Sequence, residues 1–215
     1  MQLAEEVIIP EDMLFKAGYS LHGSDAIKQT KDRVYENIVQ FLDIEVSPLD
    51  VVHFKEASVS DLVLFIIAPI IHEFRRRTGR RYVKLFREKQ LVSSDNETGG
   101  FEEFVVDSIA MLEQKYILII EAKRVSLGAA MGQCLMAMKD MVGSNYGGVL
   151  YGFVTTGDSW RMLSYDGALF QVSDKLHVVF DTMGKDKDKW MREYSLLVDC
   201  MYAALNNGGT VMKDV

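Results

Sequence analysis

The spacing of apolar residues along the chain predicts four helices. Val34, Ile38 and Phe41 fall on one face of the first helix. The second helix is almost wholly apolar over residues 62–71 and ends at Gly79, a residue suited to a helix C-terminus. The four predicted helices cover residues 31–44, 58–79, 128–142 and 187–205.

Strand patterns separate these helices. The segment YILIIEAKR, residues 116–124, is apolar on both faces, which predicts the central strand of a sheet. A hairpin is predicted around Gly157 and Asp158. The predicted strands cover residues 82–92, 101–112, 116–124, 147–157 and 159–167, with further strand within 168–180. The order helix, three strands, helix, strand pair and helix predicts an α/β fold with a mixed sheet flanked by helices.

The length of 215 residues suits one globular domain with a terminal extension. The periodicity is weak before residue 31, so we expect residues 1–57 to form a helical lead-in that packs on the core. The α/β domain is predicted over residues 58–206, and the Gly-rich tail, residues 207–215, is expected to fray.

Composition and missing motifs argue against several classes of protein. No run of about 18 uncharged apolar residues occurs, so we expect no membrane span. The N-terminus lacks the pattern of a secretory signal as it stands, although a removed leader would be invisible. The chain has two cysteines and neither a CxxC nor an HExxH motif, which argues against a zinc site and fits a reducing cytoplasmic or nuclear setting. A GxxxxGK[ST] motif is also missing, which excludes a P-loop nucleotide triphosphatase within this chain.

A basic segment stands out against the net charge of −7. A local basic stripe on an acidic protein can bind a phosphate backbone while the remaining surface limits nonspecific binding. The alternative is a solvated helix end, where cations interact favourably with the helix dipole. The candidate nucleic-acid-binding residues are Arg75, Arg76, Arg77, Arg80, Arg81 and Lys84.

Candidate chemistry lies where the central strand ends. Glu121 and Lys123 are two residues apart, so on a strand they share a face. Asp107 lies in the preceding strand and can approach Glu121 if the two strands pair. With the carbonyl oxygen of Ala122, these carboxylates offer ligands for Mg²⁺ or Mn²⁺, and Lys123 can orient a water. The alternative is a salt-bridged strand end, with Asp107 an ordinary acidic residue near a turn.

These residues resemble the motif of the PD-(D/E)XK, or restriction endonuclease-like, nuclease superfamily over roughly residues 58–180. The resemblance implies a helix–three strands–helix–strand core, in which Asp107 and Glu121 hold the metal and Lys123 serves the hydrolytic water. It also adds Glu73 as a further ligand from the preceding helix and Gln133 from the following one. Val106 departs from the family's proline before the Asp. A looser similarity is to the nuclease-like domains of Crinkler-type effectors.

The resemblance implies a Mg²⁺- or Mn²⁺-dependent endonuclease that hydrolyses nucleic acid, with DNA favoured over RNA. Two alternatives stay open. One is a nuclease-fold module that has lost catalysis and binds nucleic acid or a protein partner. The other is an effector-type protein in which the fold serves protein binding, and a homodimer is also compatible with the sequence.

Overall fold

A computed structural model of the protein describes residues 5–19, 25–45, 56–92, 99–110, 113–124, 126–145 and 148–208. The predicted tail lies outside these residues from position 209 onwards, as do residues 93–98 between the first two predicted strands. The helices are α1 (Pro10–Lys16), α2 (Asp25–Ile44), α3 (Glu56–Thr78), α4 (Leu127–Val142), α5 (Lys187–Lys189) and α6 (Leu196–Asn207), with a π-helix (Trp190–Tyr194) between α5 and α6. The strands are β1 (Glu5–Ile8), β2 (Val83–Val92), β3 (Gly99–Ala110), β4 (Glu113–Ala122), β5 (Leu150–Thr155), β6 (Ser159–Tyr165), β7 (Phe170–Ser173) and β8 (Leu176–His177).

All eight strands form one mixed sheet in the order β1-β7-β6-β5-β4-β3-β2, and β8 pairs with β6. The pairs β4–β5 and β1–β7 are parallel, and the other pairs are antiparallel. Since β4 and β5 are parallel and joined through α4, their C-terminal ends meet at one edge of the sheet. The predicted α/β class, with a mixed sheet flanked by helices, is confirmed.

Helices cover both faces of the sheet and create two hydrophobic cores. Phe104, Leu118 and Ile120 belong to the larger core, with α2, α3 and α6. Val105 and Ile119 belong to the smaller core, with α4. Neighbouring residues of β4 therefore enter opposite cores, which explains why the sequence of this strand is continuously apolar.

Among the described residues, one helix, α3, is long and apolar enough by length and composition to cross a membrane (Ala57–Thr78). It lies in the larger core, where Leu62, Ile66, Ile70 and Phe74 are almost completely buried. In all, 56% of the apolar window is buried inside the protein. Pro69 lies within the helix, which continues to Thr78.

Three elements differ from the sequence-based expectation. The N-terminal segment contributes a strand, β1, which pairs with β7 through Glu5–Phe170 and Ile8–Ser173. The pattern of this four-residue strand is too short to reveal a partner so distant in the chain. The predicted strand within 168–180 is divided into β7 and β8. The last predicted helix contains the π-helix, which helical periodicity alone does not distinguish.

Candidate active site

The central feature of the candidate site is a pair of glutamates, Glu103 and Glu121, on neighbouring strands. In the β3–β4 register, Phe104 lies opposite Ile120, so one further step along each strand brings Glu103 to Glu121. The backbone N–H of Glu103 donates to Oε1 of Glu121 at 3.2 Å, and the backbone N–H of Ala122 donates to Oε2 of Glu103 at 3.1 Å. Each carboxylate is therefore held against the other's strand.

A helix also reaches this pair. The hydroxyl of Ser60, near the N-terminal end of α3, donates to Oε1 of Glu103. Glu121 is fully buried and Glu103 is half-buried. Burial raises the pKa of the Glu103 carboxyl, and the negative charge of Glu121 raises it further, while the hydrogen bonds from Ser60 and Ala122 and the charge of Lys123 oppose this rise. The site thus concentrates negative charge in a partly dry environment.

Lys123 follows directly after β4. Its backbone N–H donates to the carbonyl oxygen of Thr155 at 2.9 Å, which fixes the end of β4 beside the end of β5. Its side chain is half-buried, and its positive charge acts on the pKa of the Glu103 carboxyl. Glu121, Ala122 and Lys123 therefore lie at one strand end, with Glu103 as a second carboxylate beside Glu121.

Asp107 does not join this pair, which corrects its predicted position beside Glu121. It lies four residues beyond Glu103 on β3, about 13 Å along the strand. It pairs with Tyr116 next to a register shift in the ladder. Its buried carboxylate forms an ion pair with Lys89, whose Nζ lies 2.5 Å from Oδ2 of Asp107. The side-chain amide of Gln114 donates a hydrogen bond to the same oxygen.

The spacing of the two strands could have narrowed the partner of Glu121 to Glu102 or Glu103. Equal counting from Ala110 and Glu113 along each strand places residue 102 opposite Glu121, and the register shift between Val106 and Asp107 moves the partner to Glu103. Asp107 is too close to the connection to lie opposite Glu121. Ser60 has no comparable sequence signal, because its contact depends on how α3 packs on the sheet.

Glu73 also lies elsewhere. It is thirteen residues beyond Ser60 on α3, about 20 Å along the helix axis. Both of its carboxylate oxygens accept from Arg76, at 2.5 and 2.8 Å, and this interaction is the main reason that the pKa of the Glu73 carboxyl lies below its usual range. The structure therefore removes Glu73 from the set of expected metal ligands.

Gln133 lies on α4, which packs against β3, β4 and β5. Its side chain is half-buried, one turn from Ala130 in the smaller core. This position is on the element that directly follows Lys123, as expected from the sequence. A role for Gln133 in catalysis stays a prediction.

The arginine stripe occupies the opposite end of α3 from Ser60. Arg76 is sixteen residues beyond Ser60, about 24 Å along the helix. Several of its guanidinium groups have partners within the protein. Arg75 donates to the carbonyl oxygen of Arg81, Arg76 pairs with Glu73, Arg77 interacts with the hydroxyl of Tyr202, and Arg80 donates to the carbonyl oxygen of Leu205 above the Phe74 ring. The side chains of Arg81 and Lys84 are exposed.

Within the described ranges, His, Cys, Asp and Glu form no group of three or more that could hold a metal ion. The groups at the strand ends that could ligate a metal are the carboxylates of Glu103 and Glu121 and the carbonyl oxygen of Ala122. These are hard oxygen donors, which suit Mg²⁺ or Mn²⁺. Comparison with protein-family models, curated proteins and solved structures found no match for this chain.

Proposed function

We propose that the protein is a metal-dependent nuclease with a restriction endonuclease-like core. The observation that carries this proposal is the approach of two glutamates, buried Glu121 and half-buried Glu103, near Lys123 at the end of a central strand. The element order α3, β2, β3, β4, α4 and β5 supports it, because that order is the one implied by the sequence resemblance.

A divalent cation fits the chemistry of this pair. Two carboxylates removed from water repel each other, and burying an ion without compensation costs several kcal/mol. The structure provides Ser60, two backbone N–H groups and Lys123 as compensation, yet the pKa of Glu103 is still raised. A cation held between Glu103 and Glu121 would offset the remaining repulsion. Glu103 thus takes the ligand role that the sequence assigned to Asp107.

The residues of the chain have distinct roles in the proposed reaction. Glu103, Glu121 and the carbonyl oxygen of Ala122 would hold the cation, and Ser60 positions Glu103. Lys123 orients the attacking water and stabilises negative charge as the phosphodiester bond breaks. When bound, the cation lowers the pKa of a water molecule and stabilises charge on the phosphate oxygens.

The proposed substrate is nucleic acid, with DNA favoured over RNA, in an intracellular, cytoplasmic or nuclear setting. Phosphate contacts would come from cations that are not already used within the fold. Arg81 and Lys84 are exposed near the C-terminal end of α3, and Arg124 is exposed beside Lys123. Of these three, Arg124 is adjacent in sequence to the reactive strand end.

A second candidate function is a nuclease-fold module that binds nucleic acid or a protein partner without catalysis. The specific observation in its favour is that both carboxylate oxygens of Glu103 already accept hydrogen bonds, from Ser60 and Ala122. A carboxylate satisfied in this way can serve as a brace between α3 and the sheet. The arginines engaged within the fold fit this candidate equally well.

Cleavage assays separate the two candidates. Single- and double-stranded DNA and RNA are incubated with purified protein in Mg²⁺, Mn²⁺ or EDTA. We expect metal-dependent cleavage that Lys123→Ala reduces by about 10²- to 10⁴-fold, with most nucleic-acid binding retained. Lys139→Ala, at an exposed position on α4, is the matched control and should cleave normally. Wild-type protein without metal-stimulated cleavage would exclude the nuclease and favour the binding module.

A further inference from the structure

A groove lies between α2, α5, the π-helix and α6, on elements that do not contribute to the candidate active site. Its volume is about 510 Å³. Pockets that hold small ligands have volumes of roughly 300–1,000 Å³. The lining combines two apolar side chains, Ile27 and Met191, with five charged ones. This mixture suits a ligand that has both an apolar part and a charged group.

The floor of the groove is a buried charged network. Asp199 on α6 is 1% exposed and pairs with the ammonium of Lys31 from α2 at 2.6 Å. The hydroxyl of Tyr19 donates to the other carboxylate oxygen of Asp199 at 3.1 Å. Burial raises the pKa of Asp199, whereas Lys31 and Tyr19 act to lower it. Well-packed apolar residues often stabilise such a position as well or better, so stability alone does not explain the network.

The rim of the groove carries excess positive charge. Lys31 balances Asp199, which leaves Lys28 and Arg192 facing one carboxylate, Asp188. Arg192 also pairs with Glu193 at 3.0 Å, but both side chains are exposed. Exposed ion pairs contribute about 0–1 kcal/mol, so this pair does not prevent Arg192 from binding a ligand.

The π-helix presents part of the lining. Trp190 is anchored in the larger core, where its indole N–H donates to the carbonyl oxygen of Val178 at 3.0 Å. The next two residues, Met191 and Arg192, line the groove. Single π turns are rare and occur frequently at functional sites. The buried Trp190 therefore anchors the segment whose next two residues line the groove.

We propose that this groove is a binding site for a small phosphate monoester with an apolar or aromatic body. The Arg192 guanidinium and the Lys28 ammonium provide two cations for a doubly charged phosphate. Ile27 and Met191 provide apolar surface for the body of the ligand. The proposal does not depend on nuclease activity, since the groove is lined by elements other than α3, β3 and β4.

Calorimetric titration with phenyl phosphate tests this site, with inorganic phosphate and phenol as partial ligands. We expect saturable binding of phenyl phosphate, weaker binding of inorganic phosphate and none of phenol. The double variant Lys28→Gln/Arg192→Gln should weaken phenyl phosphate binding by about tenfold or more, because it removes both rim cations. The control Lys139→Gln/Lys175→Gln removes two exposed charges elsewhere and should bind as the wild type does.

Two results would overturn the proposal. One is an absence of saturable phenyl phosphate binding by wild-type protein. The other is an equal loss of affinity in the rim variant and the control, which would indicate a general charge effect. Because all four substituted side chains are exposed, both variants should fold as the wild type does. Circular dichroism and thermal unfolding measure whether each variant is folded.

Discussion

Strands β3 and β4 carry two buried acidic centres that differ in how their charge is balanced. At one end, Glu103 and Glu121 approach each other with Lys123 nearby. Closer to the turn, Asp107 forms a direct ion pair with Lys89, whose ammonium also lies 4.3 Å from the centre of the Phe86 ring. Among the described interactions, the first centre brings two carboxylates together near Lys123, whereas the second is a direct pair of one carboxylate and one ammonium. Under the proposal, an added metal ion would act at the first centre.

The largest expected effect is on catalysis and separates the two centres directly. Glu121→Gln should reduce metal-dependent cleavage by about 10²-fold or more and weaken metal binding, because it removes a ligand while keeping the side-chain shape. Asp107→Asn should retain metal binding. Cleavage rates and calorimetric titration with Mn²⁺ measure the two properties separately. If Asp107→Asn abolished metal binding in a folded protein and Glu121→Gln did not, the assignment of the two centres would be reversed.

The next effect concerns stability at the second centre. Asp107→Ala should lower the free energy of unfolding by about 3–5 kcal/mol, because it leaves the ammonium of Lys89, whose side chain is 18% exposed, without its partner. Urea unfolding measures the change. Replacing both residues, as Asp107→Leu/Lys89→Met, should recover much of the loss. A destabilisation that depended on added Mg²⁺ would instead connect Asp107 to a metal site.

A pH effect should distinguish the first centre. Since the pKa of Glu103 is raised above its ordinary value of 4.5, its ionisation opposes folding. The penalty is absent at pH values below 4.5, where the carboxyl is protonated in both states, and grows as pH rises through the raised pKa. In EDTA, the free energy of unfolding of the wild type, relative to that of Glu103→Gln, should therefore fall as the pH rises from 4.5 through the raised pKa of Glu103. Added Mg²⁺ should reverse the fall, and urea unfolding at several pH values with and without Mg²⁺ measures both.

The smallest effect is expected at Ser60. Ser60→Ala removes the hydroxyl that donates to Glu103, which should cost about 1 kcal/mol of stability and raise the pKa of Glu103 further. The pH window described for wild type should shift upwards in this variant. Ser58→Ala, two residues earlier on α3, serves as the control and should leave the window unchanged. An unchanged window in Ser60→Ala would mean that the hydroxyl does not position Glu103.

The sequence predicted those features that depend on local pattern. The continuous apolar run of β4 identified the central strand, because its neighbouring residues enter different cores. Helical spacing located α3 and α4 to within two residues of the described bounds. The pairing of β1 with β7 was not predictable, since the strand is four residues long and its partner is far along the chain.

At the candidate site, the sequence placed Glu121, Ala122 and Lys123 together because they are local to one strand end. It misplaced Asp107, because the position of a residue opposite Glu121 depends on strand register. Register is set by the connection and by the irregularity between Val106 and Asp107, and neither appears in the pattern of apolar residues. Glu73 was misplaced because its carboxylate forms an ion pair with the neighbouring Arg76.

The pairing of β1 with β7 also affects the order in which the chain can assemble. During synthesis, β1 leaves the ribosome long before Phe170 and Ser173 exist to pair with it. Until then, the backbone N–H and C=O groups of β1 lack their partners in the sheet. Val7 and Ile9, which are exposed even in the folded protein, remain accessible to other chains during that interval. The nascent protein therefore carries an unpaired β1 segment until β7 has been made.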